Sequence, residues 1–461
     1  MIMLVYAVYL PLSGYTELHY DAKNYWFISV YFHKAGSLSL FNYHDGFRGY
    51  VFPLLLLPLR IAQFYTQLPP IWFARAFGAV SAAVGFGVVG PLLWQAARGT
   101  SAPLAWPRRA AFAVLGFVLW RDYFNFTLTD FPAVWLLGLG LLLSLRHQPS
   151  AALLAGACWA AAYNMRPSYL VAAPFFLALA WLPSGSVATL CWARCAALLT
   201  GAALVLAPQY VINQRHFHRN TPLVLALDAD LETGNLYREK LKWGLLQQKY
   251  ESNIGADYPE SILVFRDYAG EALVRQERIE WFDSYGSYAR LVLRHPLLFA
   301  KLYAWRLFNG LDVQYPTPYI RQVYQPTWGL AWLNYTVWFG AGLVVARARW
   351  RRLHLQQKLR QILVLAALLV PCLPMLPINI ECRYLLPLHL WLCAVLCFGW
   401  PAAWNLRQVR RPVLLAVGAA YVLFVGLCFT ASASAQATLD CGPRSLWNPV
   451  APTPTSRAAQ Q

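Results

Sequence analysis

The chain has 461 residues, of which 58% are hydrophobic and only 13% charged, with 20 Trp and 26 Tyr among them. A water-soluble domain carries roughly a quarter charged residues, so this composition excludes an ordinary soluble enzyme and reads as a polytopic membrane protein. The net charge of +18 would suggest a nucleic-acid partner in a soluble protein. Here much of the excess sits in short loops between apolar runs, where it sets orientation, and no nucleic-acid partner is expected.

The opening run, MIMLVYAVYLPL, lacks the basic leader and the small-residue cleavage site of a signal peptide, so it reads as a first span. It is short for one, and a start that has lost several residues would explain that. The stretch TELHYDAKNYW follows and places Glu17 and Asp21 directly after it, in a chain with only 20 acidic residues. Asp21 at a membrane-surface cleft has two readings. It is either a solvated interfacial acid or a general base that takes a proton from an acceptor hydroxyl while apolar walls exclude water. Lys23 stands beside it.

The run GYVFPLLLLPLRIAQFY, residues 49–65, is apolar yet carries Pro53, Pro58 and Arg60. Counting spans decides its role. If it does not cross, the loops holding Arg98, Arg108 and Arg109, then Arg146 and His147, then Arg347, Arg349, Arg351, Arg352, Lys358 and Arg360, then Arg407, Arg410 and Arg411 all fall on the cytoplasmic side. The Asp21 loop, the RDYFNFTLTD loop, the NMRPS turn and the NIECRY turn then face the other side together. A juxtamembrane or re-entrant helix in the first outer loop, residues 13–69, is therefore expected.

Further apolar runs lie near 70–97, 109–121, 131–146, 150–164, 167–183, 188–210, 327–346, 360–377, 384–404 and 411–432. With the opening run they give an all-α chain of about eleven transmembrane helices. The expected organisation is a transmembrane module over 1–210, a small helical extramembrane insertion over 211–326, further transmembrane helices over 327–432, and a disordered tail over 433–461. No repeat supports a transporter's inverted symmetry. GFGVVG at 85–90 fits the dinucleotide fingerprint GxGxxG, but it sits inside a membrane run with no strand before it, and close helix packing by small residues explains it better. The nine cysteines show no metal-binding spacing. Most lie in apolar runs as small hydrophobes, and Cys382 with Cys441 is the one pair worth testing for a disulfide.

Asp130 ends the polar loop RDYFNFTLT and precedes Phe131-Pro132 and a long apolar run, so Thr129 or Asp130 serves as a helix N-cap. A capped acid has a fixed orientation, which a catalytic group also needs. Arg166 in NMRPSY and Arg383 in NIECRYLLP lie at outer ends, against the positive-inside bias. With Lys23 and Arg48 they offer a basic lining for a phosphate, unless they simply bind lipid headgroups. Glu381, two residues before Arg383, is placed to orient or pair with it.

Asp21 after the first span, Tyr50-Val51-Phe52-Pro53-Leu54 at the end of an aromatic loop, then TLTDFPAVWLLGLGLLL, MRPSYL and ECRYLLP together resemble the GT-C superfamily of membrane glycosyltransferases. The branch that they are most similar to contains the protein O-mannosyltransferases and the lipid A aminoarabinose transferase. The resemblance implies that Asp21 is the catalytic base and that Asp130 shapes the same pocket. Substrate contacts are expected from Lys23, Arg48, Tyr50, Arg166, Glu381, Arg383 and Tyr384, with no protein metal site and the need for a divalent cation left open. The chain departs from the pattern in lacking an Asp-Glu pair in the first loop, where Ala22 follows Asp21. It also lacks a large C-terminal soluble domain with a WWDYG-like motif, which argues against an oligosaccharyltransferase.

The implied reaction is inverting transfer of a sugar from a polyprenyl-phosphate donor to an acceptor hydroxyl on a glycan, lipid or protein. It would take place on the outward side of a multi-pass protein in a bacterial inner membrane, among membrane lipids. A transporter or flippase for a lipid-linked glycan, or a non-catalytic scaffold, are the competing expectations.

Overall fold

The computed structural model describes residues 1–99, 103–182, 188–347, 354–400, 410–442 and 444. Arg349, Arg351, Arg352 and Arg407, expected in cytoplasmic loops, and the tail beyond 444 lie outside the described residues. Helix accounts for 70% of the structure. The chain forms two compact units: Met1–Tyr237 with Arg347–Met375 and Leu386–Phe398, and Arg238–Ala346 with Leu376–Leu385 and Gly399–Gln461.

Among the described residues, six helices are long and apolar enough to cross a membrane: Pro70–Arg98, Thr189–Phe217, Trp328–Arg347, Leu355–Met375, Cys382–Gly399 and Arg411–Gln436. This is the pattern of a helical membrane protein; the eleven expected spans are not all matched by helices of that length among the described residues. The remaining apolar runs form shorter helices, Ile2–Leu12, Trp106–Trp120, Asp130–Ser144, Pro149–Met165 and the segment Pro167–Trp181, and the run 49–65 forms the short helix Val51–Thr66. The cause is punctuation within the runs. A 15-residue helix such as Asp130–Ser144 reaches about 22 Å at 1.5 Å per residue, short of a hydrocarbon core of about 30 Å. The run 167–183 is shortened in the same way by a 3₁₀ segment, Pro167–Ala172, ahead of the α-helix Ala173–Trp181.

In the first unit, close approach of helices is bought with glycine. A Cβ at Gly156 would meet the Leu198 carbonyl oxygen at 1.9 Å, and one at Gly201 would meet the Leu153 carbonyl oxygen at 1.8 Å. Pro149–Met165 and Ala188–Phe217 therefore cross backbone to backbone, as small residues permit in membrane helices. GFGVVG serves the same end. Its residues Gly85–Val89 form a π-helical turn, and a Cβ at Gly85 would lie 1.9 Å from the Trp135 indole. Phe52, Leu137, Trp159, Tyr163, Phe176 and Leu198 share the core packed around these helices.

Val51–Thr66 buries Phe52, Pro53 and Leu56 and leaves Leu54, Leu55, Ile61, Phe64 and Tyr65 exposed. Its start is fixed by a ladder of buried amides. Asn164 Oδ1 accepts from the Val51 amide at 2.9 Å, its Nδ2 donates to Gln209 Oε1 at 2.9 Å, and Gln209 Nε2 donates to Asn213 Oδ1 at 2.9 Å. Buried polar groups are affordable in an apolar interior only when paired in this way.

The second unit corrects the expectation of a purely helical insertion. Gln247–Asn253 pairs antiparallel with Ile262–Arg266 and parallel with Tyr319–Ile320, giving a three-stranded sheet. The helical spacing of YREKLKWGLLQQKYE holds only to Leu246. At Gln247 the backbone extends, because its amides find partners in ILVFR, a β-branched and aromatic segment suited to a strand. Tyr258, Leu263, Phe265, Tyr315, Ile320 and Val323 form the core of the sheet.

The expected tail boundary at 433 also moves. The last helix runs to Gln436, Asp440 donates its amide to the Val264 carbonyl at 3.0 Å, and Arg444 is fully buried, with Nη2 3.0 Å from Gln314 Oε1. Only 6% of the apolar window of Arg411–Gln436 is buried, so its Val422, Leu423 and Leu427 present apolar surface on a scale that lipid covers and water does not. None of the nine cysteines forms a disulfide, Cys382 and Cys441 included.

Candidate active site

The expected site residues divide between the units. Asp21, Lys23, Arg48, Tyr50, Asp130 and Arg166 belong to the first, and Glu381, Arg383 and Tyr384 to the second.

In the first unit, Asp21 lies in the first turn of the helix Tyr20–Ile28, where a negative charge is favoured by the helix dipole. Its Oδ1 accepts from Arg48 Nη2 at 2.8 Å, with the aspartate side chain 43% exposed and the arginine 13%. Arg48 is placed by its own loop: Asp45 Oδ1 accepts from the Phe47 and Arg48 amides, both at 2.7 Å. The guanidinium stacks between the rings of Phe47 at 4.8 Å and Tyr25 at 4.9 Å. Burial opposes its charge, but the Tyr25 oxygen, Asp21 and Asp45 outweigh burial and raise its pKa further. The result is a half-exposed carboxylate fixed by a caged cation.

Asp130 is the first residue of its helix, and Thr129 precedes it as the N-cap residue without a side-chain capping bond. The Asp130 carboxylate is buried and accepts from Arg166 Nη1. Arg166 is thus engaged by a carboxylate of its own unit, where the sequence suggested an arginine held ready for phosphate. The loop that carries Asp130 is anchored from several sides. Thr127 Oγ1 donates to the Ala22 carbonyl at 2.7 Å, tying the loop to the Asp21 helix. Arg75 Nε donates to Asn125 Oδ1 at 3.1 Å and its Nη2 to the Tyr15 carbonyl at 2.6 Å. Gly78 allows the approach, since a Cβ there would meet the Phe124 carbonyl oxygen at 1.9 Å.

Tyr25, which the sequence reading passed over as a site residue, joins the two pairs. Its ring packs against the Arg48 guanidinium at 4.9 Å, and it feels the charges of Arg48, Asp21 and Arg166. Burial raises its pKa, so its hydroxyl is neutral at physiological pH. The spacing of four from Asp21 was the available signal, because such positions share a helix face.

Two expected residues stand apart from this cluster. Lys23 is exposed, with Nζ 5.9 Å from the Phe27 ring centroid; two residues on from Asp21, it projects from another side of the helix. Tyr50 is buried, and its hydroxyl donates to the Val205 carbonyl at 2.9 Å. It is an anchor for Val51–Thr66, not a surface for substrate.

In the second unit, Glu381 takes both arms of the Arg383 fork, one at Oε2 and the other, from Nη2, at Oε1 at 3.1 Å, and both side chains are buried. A fork–fork pair of this kind is geometrically complete. Tyr384 meets Tyr250, hydroxyl to hydroxyl. Lys240 Nζ donates to the Tyr384 hydroxyl at 2.7 Å. Neither Tyr250 nor Lys240 carried a sequence signal, since both sit in a stretch that reads as an ordinary amphipathic helix.

Among the described residues no group of three or more His, Cys, Asp and Glu side chains converges as metal ligands would. Comparison with protein-family models, with curated proteins and with solved structures gives no match.

Proposed function

We propose that this chain is a GT-C-type glycosyltransferase, which moves a sugar from a polyprenyl-phosphate donor to an acceptor hydroxyl on the extracytoplasmic side of a bacterial inner membrane. The observation that carries this reading is the Asp21–Arg48 pair: a carboxylate accessible to an acceptor, beside a cation buried among rings and suited to a departing phosphate. The pairing holds the Asp21 carboxylate in a fixed place, where it can accept a proton from an acceptor hydroxyl. A phosphate arriving at Arg48 exchanges with the carboxylate, and Asp21 is released to act on the acceptor hydroxyl as negative charge grows on the leaving phosphate. Asp130, buried and tied to Arg166, shapes the wall beside this centre. Tyr25 packs against Arg48. A single displacement with Asp21 as base inverts the anomeric carbon.

A lipid-linked glycan flippase is the competing reading, and leaflet accounting separates the two. Proteoliposomes are loaded with a fluorescent polyprenyl-phosphate sugar in both leaflets, and an impermeant quencher reports the outer pool. The transferase reading predicts that the sugar is lost from the donor in the presence of acceptor extract while the leaflet ratio of lipid stays fixed. Redistribution of intact donor between leaflets, with no loss of sugar, would favour the flippase.

A further inference from the structure

Among the described residues, the second unit holds an ammonium with no carboxylate paired to it. Lys240 Nζ donates to the Tyr384 hydroxyl at 2.7 Å, lies 3.5 Å from the Tyr250 hydroxyl, and sits over both rings, at 5.0 Å from the Tyr384 centroid and 5.7 Å from that of Tyr250. Among the described residues no carboxylate is within ion-pair distance of it. This is unusual, because a half-buried cation normally finds a countercharge.

Lys240 can only donate, so the Tyr384 and Tyr250 oxygens accept from it. Burial first, and the Glu381 charge second, hold the Tyr250 hydroxyl well above its ordinary pKa, so it stays protonated and offers Lys240 no negative charge. Glu381 is already paired with Arg383 through two bonds. The positive charge of Lys240 is left over.

We infer that Lys240, presented by Tyr250 and Tyr384, forms an anion site for a phosphate group, carried by a lipid headgroup or free in solution. Two features favour phosphate. An ammonium with a hydrogen remaining after two hydroxyl contacts is a point-charge phosphate binder. The flanking tyrosine rings suit the apolar stem of a lipid ester, and wall the charge from water. The cation that meets the anion in this unit is then Lys240 and not Arg383, whose fork is filled by Glu381. The inference stands on this unit alone and holds whether or not the protein transfers sugar.

The test uses the full-length protein in nanodiscs of zwitterionic lipid. Binding of dodecyl phosphate and of inorganic phosphate is measured by calorimetry, with parallel protection of Lys240 from an amine-reactive probe read by mass spectrometry. The expected result is binding that weakens at least tenfold in Lys240→Met, is largely kept in Lys240→Arg, and protects Lys240 in the wild type. Dodecyl phosphate binding without inorganic phosphate binding supports the site with a lipid headgroup as its source, and competition by inorganic phosphate supports it with a free anion as its source. Equal affinity in wild type and Lys240→Met, or ligand binding that leaves Lys240 labelling unchanged, overturns it. Should Lys240→Met fail to fold, the protection experiment on the wild type decides alone, and no protection at saturating dodecyl phosphate overturns the site.

Discussion

Asp21→Asn is expected to lower sugar transfer by at least ~10²-fold, the contribution a positioned general base commonly makes. The substitution keeps the shape of the side chain and removes the oxygen that takes the proton. It should leave thermal stability nearly unchanged, because a partly exposed ion pair such as Asp21–Arg48, with the aspartate 43% exposed, contributes at most about 1 kcal/mol. Turnover and melting temperature measured on the same preparation separate the two effects. Transfer retained within about threefold, well short of the factor a general base supplies, would remove Asp21 from the chemistry.

Arg166→Ala should do the opposite: its main effect falls on folding. Asp130 is 2% exposed and Arg166 13%, and deleting one partner of a buried pair leaves an uncompensated charge at a cost of about 3–5 kcal/mol. The double variant Asp130→Asn with Arg166→Met removes both charges together and should recover much of that loss. Denaturation of the three proteins in one detergent tests this. An Arg166→Ala protein as stable as wild type would show that the pair is not what holds the TLTD loop.

These expectations differ because the structure assigns the two acids different surroundings, which the sequence did not distinguish. Both Asp21 and Asp130 were legible as acids beside apolar runs, and both candidate arginines as charges in unexpected places. Partnership was not legible for Asp130 and Arg166, 36 residues apart, since only the fold brings them together. Glu381 and Arg383 are two residues apart, and their pairing could be read directly. Tyr25 shared a helix face with Asp21 but looked like one aromatic among many. Lys240 and Tyr250 were hidden by a change of backbone. A helix ends at Leu246 and a strand begins at Gln247, and no periodicity within QQKYESN marks the switch.

Apolar composition was likewise a sound guide to the membrane class and a poor one to the number of long helices. Hydropathy sees a run such as 167–183 as continuous, whereas the backbone breaks it at Pro167–Ala172 into a 3₁₀ segment and a short helix. Proline and 3₁₀ geometry alter length without altering polarity. The sheet in the second unit was missed for a related reason, because its short strands carry charged and amide side chains among the apolar ones.

The most direct measurement is transfer itself. Purified protein is mixed with polyprenyl phosphate carrying a radiolabelled sugar and with membrane extract as the source of acceptor, and wild type and Asp21→Asn are run side by side. The label should leave the lipid and appear on a hydroxyl-linked product with the wild type, and stay on the lipid with Asp21→Asn. Label that remains on polyprenyl phosphate with wild-type protein, across a panel of donor sugars, would contradict the assignment of this chain as a glycosyltransferase.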